Sequence, residues 1–259
     1  MEKRIVNILW TGGLDSSFRV IELSMMDCII QPWYILDEVR QSAKNELKAI
    51  KKISEIISYH KNTKAKILST KIIKLKEISE CGIITNSFNI LHDKYNIGHQ
   101  YDLIARLAKQ ENVTFEMSLE KSDRNKAMDC LNSEANLKLD TNGDYSVYKI
   151  LNNTSTEDVS HVFGRIVFPT SLWNMTKKEE IQWLIDKGHK DTINHTWFCH
   201  YPVFGLPCGH CNPCKDSINE GLSFRVPISG RLLYYIKKPY DAIVIRLKKF
   251  YHKSNIKSL

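Results

Sequence analysis

Two rhythms of apolar residues alternate along this chain. Short β-branched runs occupy Ile5-Val6-Asn7-Ile8-Leu9, Cys28 to Leu36, Ala65 to Ile73, Val113 to Met117 and Ile166-Val167-Phe168. Between them, apolar residues return at three- and four-residue spacing. Leu47, Ile50, Ile53 and Ile57 do so within Val39–His60, and Ser16–Met26 carries Phe18, Ile21 and Leu23 in a looser helical pattern. The runs predict buried strands and the spaced residues predict helices with one apolar face. Pro32 weakens the second run as a strand, because it lacks an N–H for a ladder. A further helix is expected from Gly98 to Ala108. Another is expected over Lys177–Lys187, with a capping box at Thr176 and Glu179, Ile181, Leu184 and Ile185 as its apolar face, and a stop at Gly188. Residues 81–97 follow neither rhythm. Residues 118–160 turn polar around an Asn142-Gly143 turn and read as an insertion or lid, not a core unit. Strand–helix alternation predicts an α/β fold with a Rossmann-like parallel sheet.

Composition narrows the class. The 259 residues are 42% apolar and 25% charged, ordinary for a globular protein. No run reaches the roughly 20 apolar residues of a membrane span. The opening Met1-Glu2-Lys3-Arg4-Ile5-Val6 enters the first strand without an apolar leader, so a cytoplasmic location is expected. Seven cysteines there suggest thiols or metal rather than disulfides. The net charge of +8 is confined to one end: residues 222–259 hold nine Lys and Arg against Asp241, and residues 1–221 balance.

The first strand runs into Thr11-Gly12-Gly13-Leu14-Asp15-Ser16-Ser17. A strand that turns through two glycines onto a helix aims free amides and a dipole at one point, which suits an anion. The hydroxyls of Thr11, Ser16 and Ser17 add donors. The string has neither the glycine spacing nor the Lys of a Walker A loop, and it is not G-x-G-x-x-G. A turn built only for backbone geometry is the plain alternative.

Near the other end, Cys199 is followed by eight residues and then Cys208-Gly209-His210-Cys211-Asn212-Pro213-Cys214. Four thiolates at this spacing fit a tetrahedral Zn²⁺, with Gly209 and Pro213 shaping the turns and His210 left outside the shell. A reactive thiol or an iron–sulfur cluster are the rival readings. Cys28, Cys81 and Cys130 have no partner spacing.

The T-G-G-L-D-S-S string resembles the PP-loop of the ATP pyrophosphatase superfamily. Together with Thr196-Trp197-Phe198-Cys199, Thr176-Lys177 and Cys-Gly-x-Cys-x-x-Cys, it resembles the 7-cyano-7-deazaguanine synthase family. The resemblance covers most of residues 4–222 and implies a PP-loop domain over residues 1–195 and a zinc element over 196–222; residues 223–259 read by their charge and apolar spacing as a basic helical tail. It implies ATP held by Thr11, Gly12, Gly13, Leu14, Asp15, Ser16 and Ser17 with Mg²⁺, and Zn²⁺ on Cys199, Cys208, Cys211 and Cys214. Asp15, Ser16 and Lys177 would serve catalysis. The implied reaction adenylates a carboxylate, 7-carboxy-7-deazaguanine or a related acid, and lets ammonia or an amine displace AMP to give an amide or nitrile. The chain departs from the family pattern at Asp37-Glu38-Val39-Arg40-Gln41, Gly98-His99-Gln100 and Glu116-Met117-Ser118.

His99, Asp102 and Arg106 share one helix face, and His99 fits a base that steers the nitrogen nucleophile; a solvated face is the alternative. In the tail, Tyr240, Ile243, Val244, Leu247 and Tyr251 form an apolar stripe beside Arg246, Lys248 and Lys249. Such a helix fits its own core, an anionic membrane, RNA or a protein partner. Two further functions stay open: adenylation of a base in tRNA, and a non-catalytic ATP-binding subunit. A homodimer is compatible with either.

Overall fold

The computed structural model describes residues 3–122 and 125–238. They fall into two compact units. The described residues of Met1–Val39 and Glu46–Trp197 form the first, and those of Arg40–Asn45 and Phe198–Leu259 form the second.

The first unit is built on one sheet. Its strands are β1 (Ile5–Leu9), β2 (Ile29–Leu36), β3 (Lys66–Ile67), β4 (Lys71–Lys74), β5 (Phe115–Glu116), β6 (Leu137–Asn142), β7 (Tyr145–Ile150) and β8 (Ile166–Pro169). They run in the order β3-β2-β1-β5-β8-β7-β6, with β4 also on β2. Every pairing from β3 and β4 across to β8 is parallel, and β7 and β6 add antiparallel edges. The helices are α1 (Leu14–Ser24), α2 (Ala43–Ser58), α3 (Gly82–Tyr95), α4 (Gln100–Gln110), α5 (Lys126–Glu134), α6 (Glu157–Phe163), α7 (Thr170–Asn174), α8 (Lys177–Asp186) and α9 (Lys190–His195). No described helix is long and apolar enough to cross a membrane.

The strand pleat divides the core into two layers. Val6, Ile8, Ile30 and Tyr34 face Phe18 and Ile21 of α1, Ile50, Ile53 and Ile57 of α2, and Leu184 of α8. Leu9, Trp33, Phe115 and Phe168 face Phe88 and Leu91 of α3, Ile104 and Leu107 of α4, and Phe163 of α6. Successive residues point to opposite faces, so a strand covered on both sides reads as an unbroken apolar run. The α/β sheet expected from the alternation is present.

The expected third strand is split in two. β3 pairs with Ile29 and Ile30, β4 pairs with Trp33 to Leu36, and the gap lies opposite Gln31 and Pro32. Proline offers no N–H there. The Gln31 side-chain amide fills the gap by donating to the Ser69 carbonyl at 3.0 Å.

The stretch expected to be a lid contributes described residues to the core. Ala127, Met128, Cys130 and Leu131 of α5 and Val147 and Ile150 of β7 are buried, and β7 pairs with β8. The hairpin turns at Gly143 with φ +60°. On α8 the inner residues are Glu180 and Leu184, while Ile185 is exposed. Its apolar face is therefore rotated from the expected one, and Lys177, Glu180, Ile181 and Leu184 share the inward side at i, i+3, i+4 and i+7.

His189, next to the α9 N-terminus, is buried with neither ring nitrogen hydrogen-bonded, and its ring lies 3.9 Å from that of His60. Burial and His60 hold its pKa down to about 4. Below the ordinary histidine value of about 6.5 the unfolded chain binds this proton and the folded chain does not, so stability falls as pH drops from 6.5 towards 4. We expect a loss of about 2–3 kcal/mol over that window, read as a lower urea midpoint at pH 5 than at pH 7.5. His189→Phe should remove most of the difference; an unchanged difference would place the pH sensitivity elsewhere.

Candidate functional site

The loop after β1 is shaped by its glycines. Gly12 has φ +72°, and a Cβ there would lie 2.9 Å from both the Ala49 Cβ and the Glu46 carbonyl oxygen. Only glycine satisfies both demands. Trp197 donates its backbone N–H to the Gly12 carbonyl at 2.7 Å, which fixes the loop from a distant segment. Gly13 is the N-cap of α1 and gives no side-chain cap. The first helical bond runs from the Ser17 N–H to the Gly13 carbonyl at 3.0 Å, so the amides of Leu14, Asp15 and Ser16 have no intrahelical acceptor. A Ser or Asp cap would have occupied one of them. The Thr11 hydroxyl lies 3.4 Å from both the Gly13 nitrogen and the Ser16 hydroxyl.

Topology gives this loop its place. The chain steps from β1 to β2 on one side and later returns to β5 on the other, so the strand order reverses between β1 and β5. Ligands of open α/β sheets sit outside the carboxyl ends of the strands at such a reversal. The loop Thr11–Gly13 leaves β1 there, and Ser118–Glu120 leaves β5 there. From α8, the Lys177 ammonium reaches Asp15 at 3.1 Å and Glu120 at 2.5 Å. Asp15, Glu120 and Glu180 bring carboxylate oxygens within 4.8 Å of one another. Burial works against the Lys177 charge, but Asp15 and Glu120 outweigh it and hold its pKa above the ordinary lysine value.

Lys177 and Asp15, 162 residues apart, are thus brought together as candidates from the sequence. Glu120 and Glu180 join them without having been singled out. The other candidates lie differently. Leu14 is in the core, and Ser17 is fully buried with its hydroxyl accepting from the Trp10 indole at 3.0 Å. Of those two residues only Leu14 has a backbone amide ahead of the first helical bond, since the Ser17 amide donates to the Gly13 carbonyl. His99 stacks on His92 at 4.6 Å and Phe88 at 5.6 Å. Asp102 accepts from the Thr85 hydroxyl at 2.8 Å and pairs with Arg106 at 3.0 Å. These contacts bind α4 to α3 and give His99 a packing role.

Behind the loop, Arg19 of α1 is buried against Glu116 of β5, with its Nε 2.8 Å and a terminal nitrogen 2.5 Å from one carboxylate oxygen. Its other terminal nitrogen meets Glu22 at 2.5 Å, and the Ser171 hydroxyl donates to the same Glu22 oxygen at 2.8 Å. Burial opposes the guanidinium charge, and Glu116 and Glu22 overcome it. The network ties α1 to β5 and so fixes the loop that α1 begins.

The second unit carries the cysteine cluster. Cys199, Cys208, Cys211 and Cys214 are all buried, with sulfurs within 4.8 Å of one another. The Cys208 and Cys214 sulfurs lie 4.0 Å apart, and those of Cys211 and Cys199 3.9 Å apart. A tetrahedron with metal–sulfur bonds of about 2.3 Å has edges of about 3.8 Å, so the four sulfurs fit one ion. The Cys208 sulfur accepts from the amides of His210 and Cys211, both at 3.4 Å, which offsets thiolate charge. Gly209 has φ +78°, and the following helix, α10 (Asn212–Asn219), begins inside the knuckle with Pro213 in its first turn. His210 is turned to the Cys208 carbonyl at 3.3 Å. The cluster can hold a metal ion such as zinc.

Outside the knuckle, burial pushes the thiols of Cys28 and Cys130 up to about 11 and about 12. Cys81 is partly exposed, and an α3 amide and Lys109 at 3.3 Å hold it below the ordinary thiol value. No protein-family model matches this chain, and no curated protein does.

Proposed function

We propose that the chain is an ATP-dependent adenylating enzyme of the PP-loop type, related to the 7-cyano-7-deazaguanine synthases. One observation carries this reading: an α1 N-terminus without a side-chain cap, at the sheet's switch point, with Lys177 delivered onto Asp15 beside it. In this role the amides of Leu14, Asp15 and Ser16, the hydroxyls of Thr11 and Ser16, and the Lys177 ammonium take the phosphate oxygens. Asp15, Glu120 and Glu180 offer hard oxygen ligands of the kind Mg²⁺ takes alongside phosphate. Bound there, Mg²⁺ would neutralise charge on the triphosphate. A carboxylate oxygen of the acid attacks the α-phosphorus, and the bond to the bridging oxygen breaks to release pyrophosphate. Nitrogen then attacks the acyl carbon and AMP leaves, giving an amide; a second round on the amide oxygen would give a nitrile.

The ion on the four cysteines is assigned as zinc in a structural role. Four thiolates complete its shell and leave no open position for substrate.

The deciding experiment mixes the protein with ATP, Mg²⁺, ammonia and 7-carboxy-7-deazaguanine or other aromatic acids. We expect AMP and pyrophosphate in equal amounts. ATP binding without either product, across acids and amine acceptors, would reject the enzymatic reading in favour of a nucleotide-binding subunit.

A further inference from the structure

The second unit presents apolar side chains to solvent where a helix packed on its own core carries polar ones. Residues 228–238 are helical, here α11. Its core side is clear: Val226, just before it, and Gly230 and Tyr234 within it are buried at four-residue spacing. Tyr234 donates to Asn219 of α10 at 2.6 Å. The backbones of Gly209 and Gly230 touch so closely that a Cβ on Gly209 would overlap the Gly230 carbonyl. On the opposite side, Ile228, Leu232, Tyr235 and Ile236 recur at i, i+4, i+7 and i+8, and Ile228 is 76% exposed. The helix is apolar on both faces, and the unit's own core uses one of them.

A second apolar feature adjoins it. Val203 and Leu206 exchange backbone hydrogen bonds of 2.9 and 3.0 Å around Phe204-Gly205, a tight hairpin with φ +49° and +77° at its tip. Positive φ is uncommon for a phenylalanine. Phe204 is 100% exposed, with Tyr201, Val203 and Leu206 exposed around it. The hairpin runs into Pro207, whose carbonyl oxygen would meet a Cβ on Gly230 at 2.9 Å. Hairpin and α11 are therefore neighbours within one unit.

Charge selects the occupant. Arg225, Arg231, Lys237 and Lys238 accompany these residues, and residues 222–259 carry nine basic groups against one acid. The sequence-derived stripe at Tyr240 to Tyr251 lies outside the described residues. Aliphatic and aromatic side chains framed by Lys and Arg match the layering of an anionic lipid surface, where acyl chains take the first and headgroup phosphates the second. A nucleic acid would engage the cations yet leave Ile228, Leu232 and Ile236 in water. We propose that this face of the second unit docks on an anionic bilayer, with Phe204 and the Ile228, Leu232 and Ile236 stripe entering the headgroup–acyl boundary. The inference is independent of the adenylating activity.

Co-sedimentation of the full chain with vesicles tests it. Phosphatidylcholine vesicles containing phosphatidylserine should bind the protein, added salt should weaken that binding, and phosphatidylcholine alone should bind little. Phe204→Ser and Leu232→Ser together should lower the partition coefficient by on the order of tenfold or more, with metal content and circular dichroism unchanged because both side chains are exposed. Absence of vesicle binding, or binding that the double substitution leaves unaltered, would overturn the proposal. So would a preference for single-stranded RNA over vesicles, or a dimer that Leu232→Ser converts to monomer without any vesicle association.

Discussion

Lys177→Met should lower the rate of AMP and pyrophosphate formation by about a hundred- to a thousandfold, the loss expected when one fixed donor to developing charge is removed. The substitution keeps most of the apolar stem of the side chain and deletes the ammonium with its charge. In the protein as it stands, that ammonium lies 3.1 Å from Asp15 and 2.5 Å from Glu120, with Glu180 in the same cluster. Removing it leaves three carboxylates facing one another, so a second, separable effect follows. Stability should fall by about 1–3 kcal/mol, since a partly buried ion pair has lost its cation. Mg²⁺ should restore much of that loss in the variant and add less to the parent, because a divalent ion on the three carboxylates does the work of the missing ammonium. Urea denaturation with and without Mg²⁺ reads the stability arm, and pyrophosphate release reads the catalytic arm. If Mg²⁺ stabilises parent and variant equally, the carboxylate cluster is not a cation site. If turnover survives with Met at this position, Lys177 is a helix-start lysine and nothing more.

The same cluster shows what a sequence can and cannot reveal. The glycines of the loop were legible because their backbone demands are local: positive φ at Gly12 and a cap without a side chain at Gly13. The thiols of the knuckle were legible because their spacing is chemistry in itself. Glu120 and Glu180 gave no such sign. Glu180, in the first turn of α8, reads as a solvated residue, and Glu120 lies in an irregular segment that only the pairing of β5 with β1 brings beside the loop. The helix α3 was hidden for a different reason. Its buried residues Ile84, Phe88 and Leu91 are interleaved with exposed Ile83 and Ile90, so apolar residues fall on every side and the period is lost. Residues 118–160 read as an insertion or lid partly because β6 is a solvent-exposed edge strand whose composition resembles a loop. The His99, Asp102 and Arg106 pattern does not by itself choose between catalysis and helix packing, and the contacts these residues make are to α3 and to one another.

Loss of the metal should disorder the second unit and spare the first. Among the described residues, the second unit's apolar core comprises Ile218, Val226 and Tyr234 with Phe198 packed against them. Burying a side chain of this size contributes roughly 1.5–3 kcal/mol, which does not cover the backbone entropy of two helices. Structural zinc sites supply on the order of 10–16 kcal/mol, comparable to the whole stability of a domain. Without the ion, four sulfurs within 4.8 Å of one another cannot all be thiolates, because nothing neutralises them. Chelation, or Cys214→Ser, should therefore abolish hydrogen-exchange protection in α10 and α11 while amides of β1, β2 and β8 keep theirs. The first unit's sheet has its own two-sided core, and the four cysteines of the cluster all belong to the second unit. Elemental analysis of the untreated protein should find about one zinc per chain. Iron with a visible charge-transfer band would reassign the cluster to electron transfer. Retained protection in α10 after complete chelation would show that packing alone holds the knuckle, and the four thiols would then need another explanation.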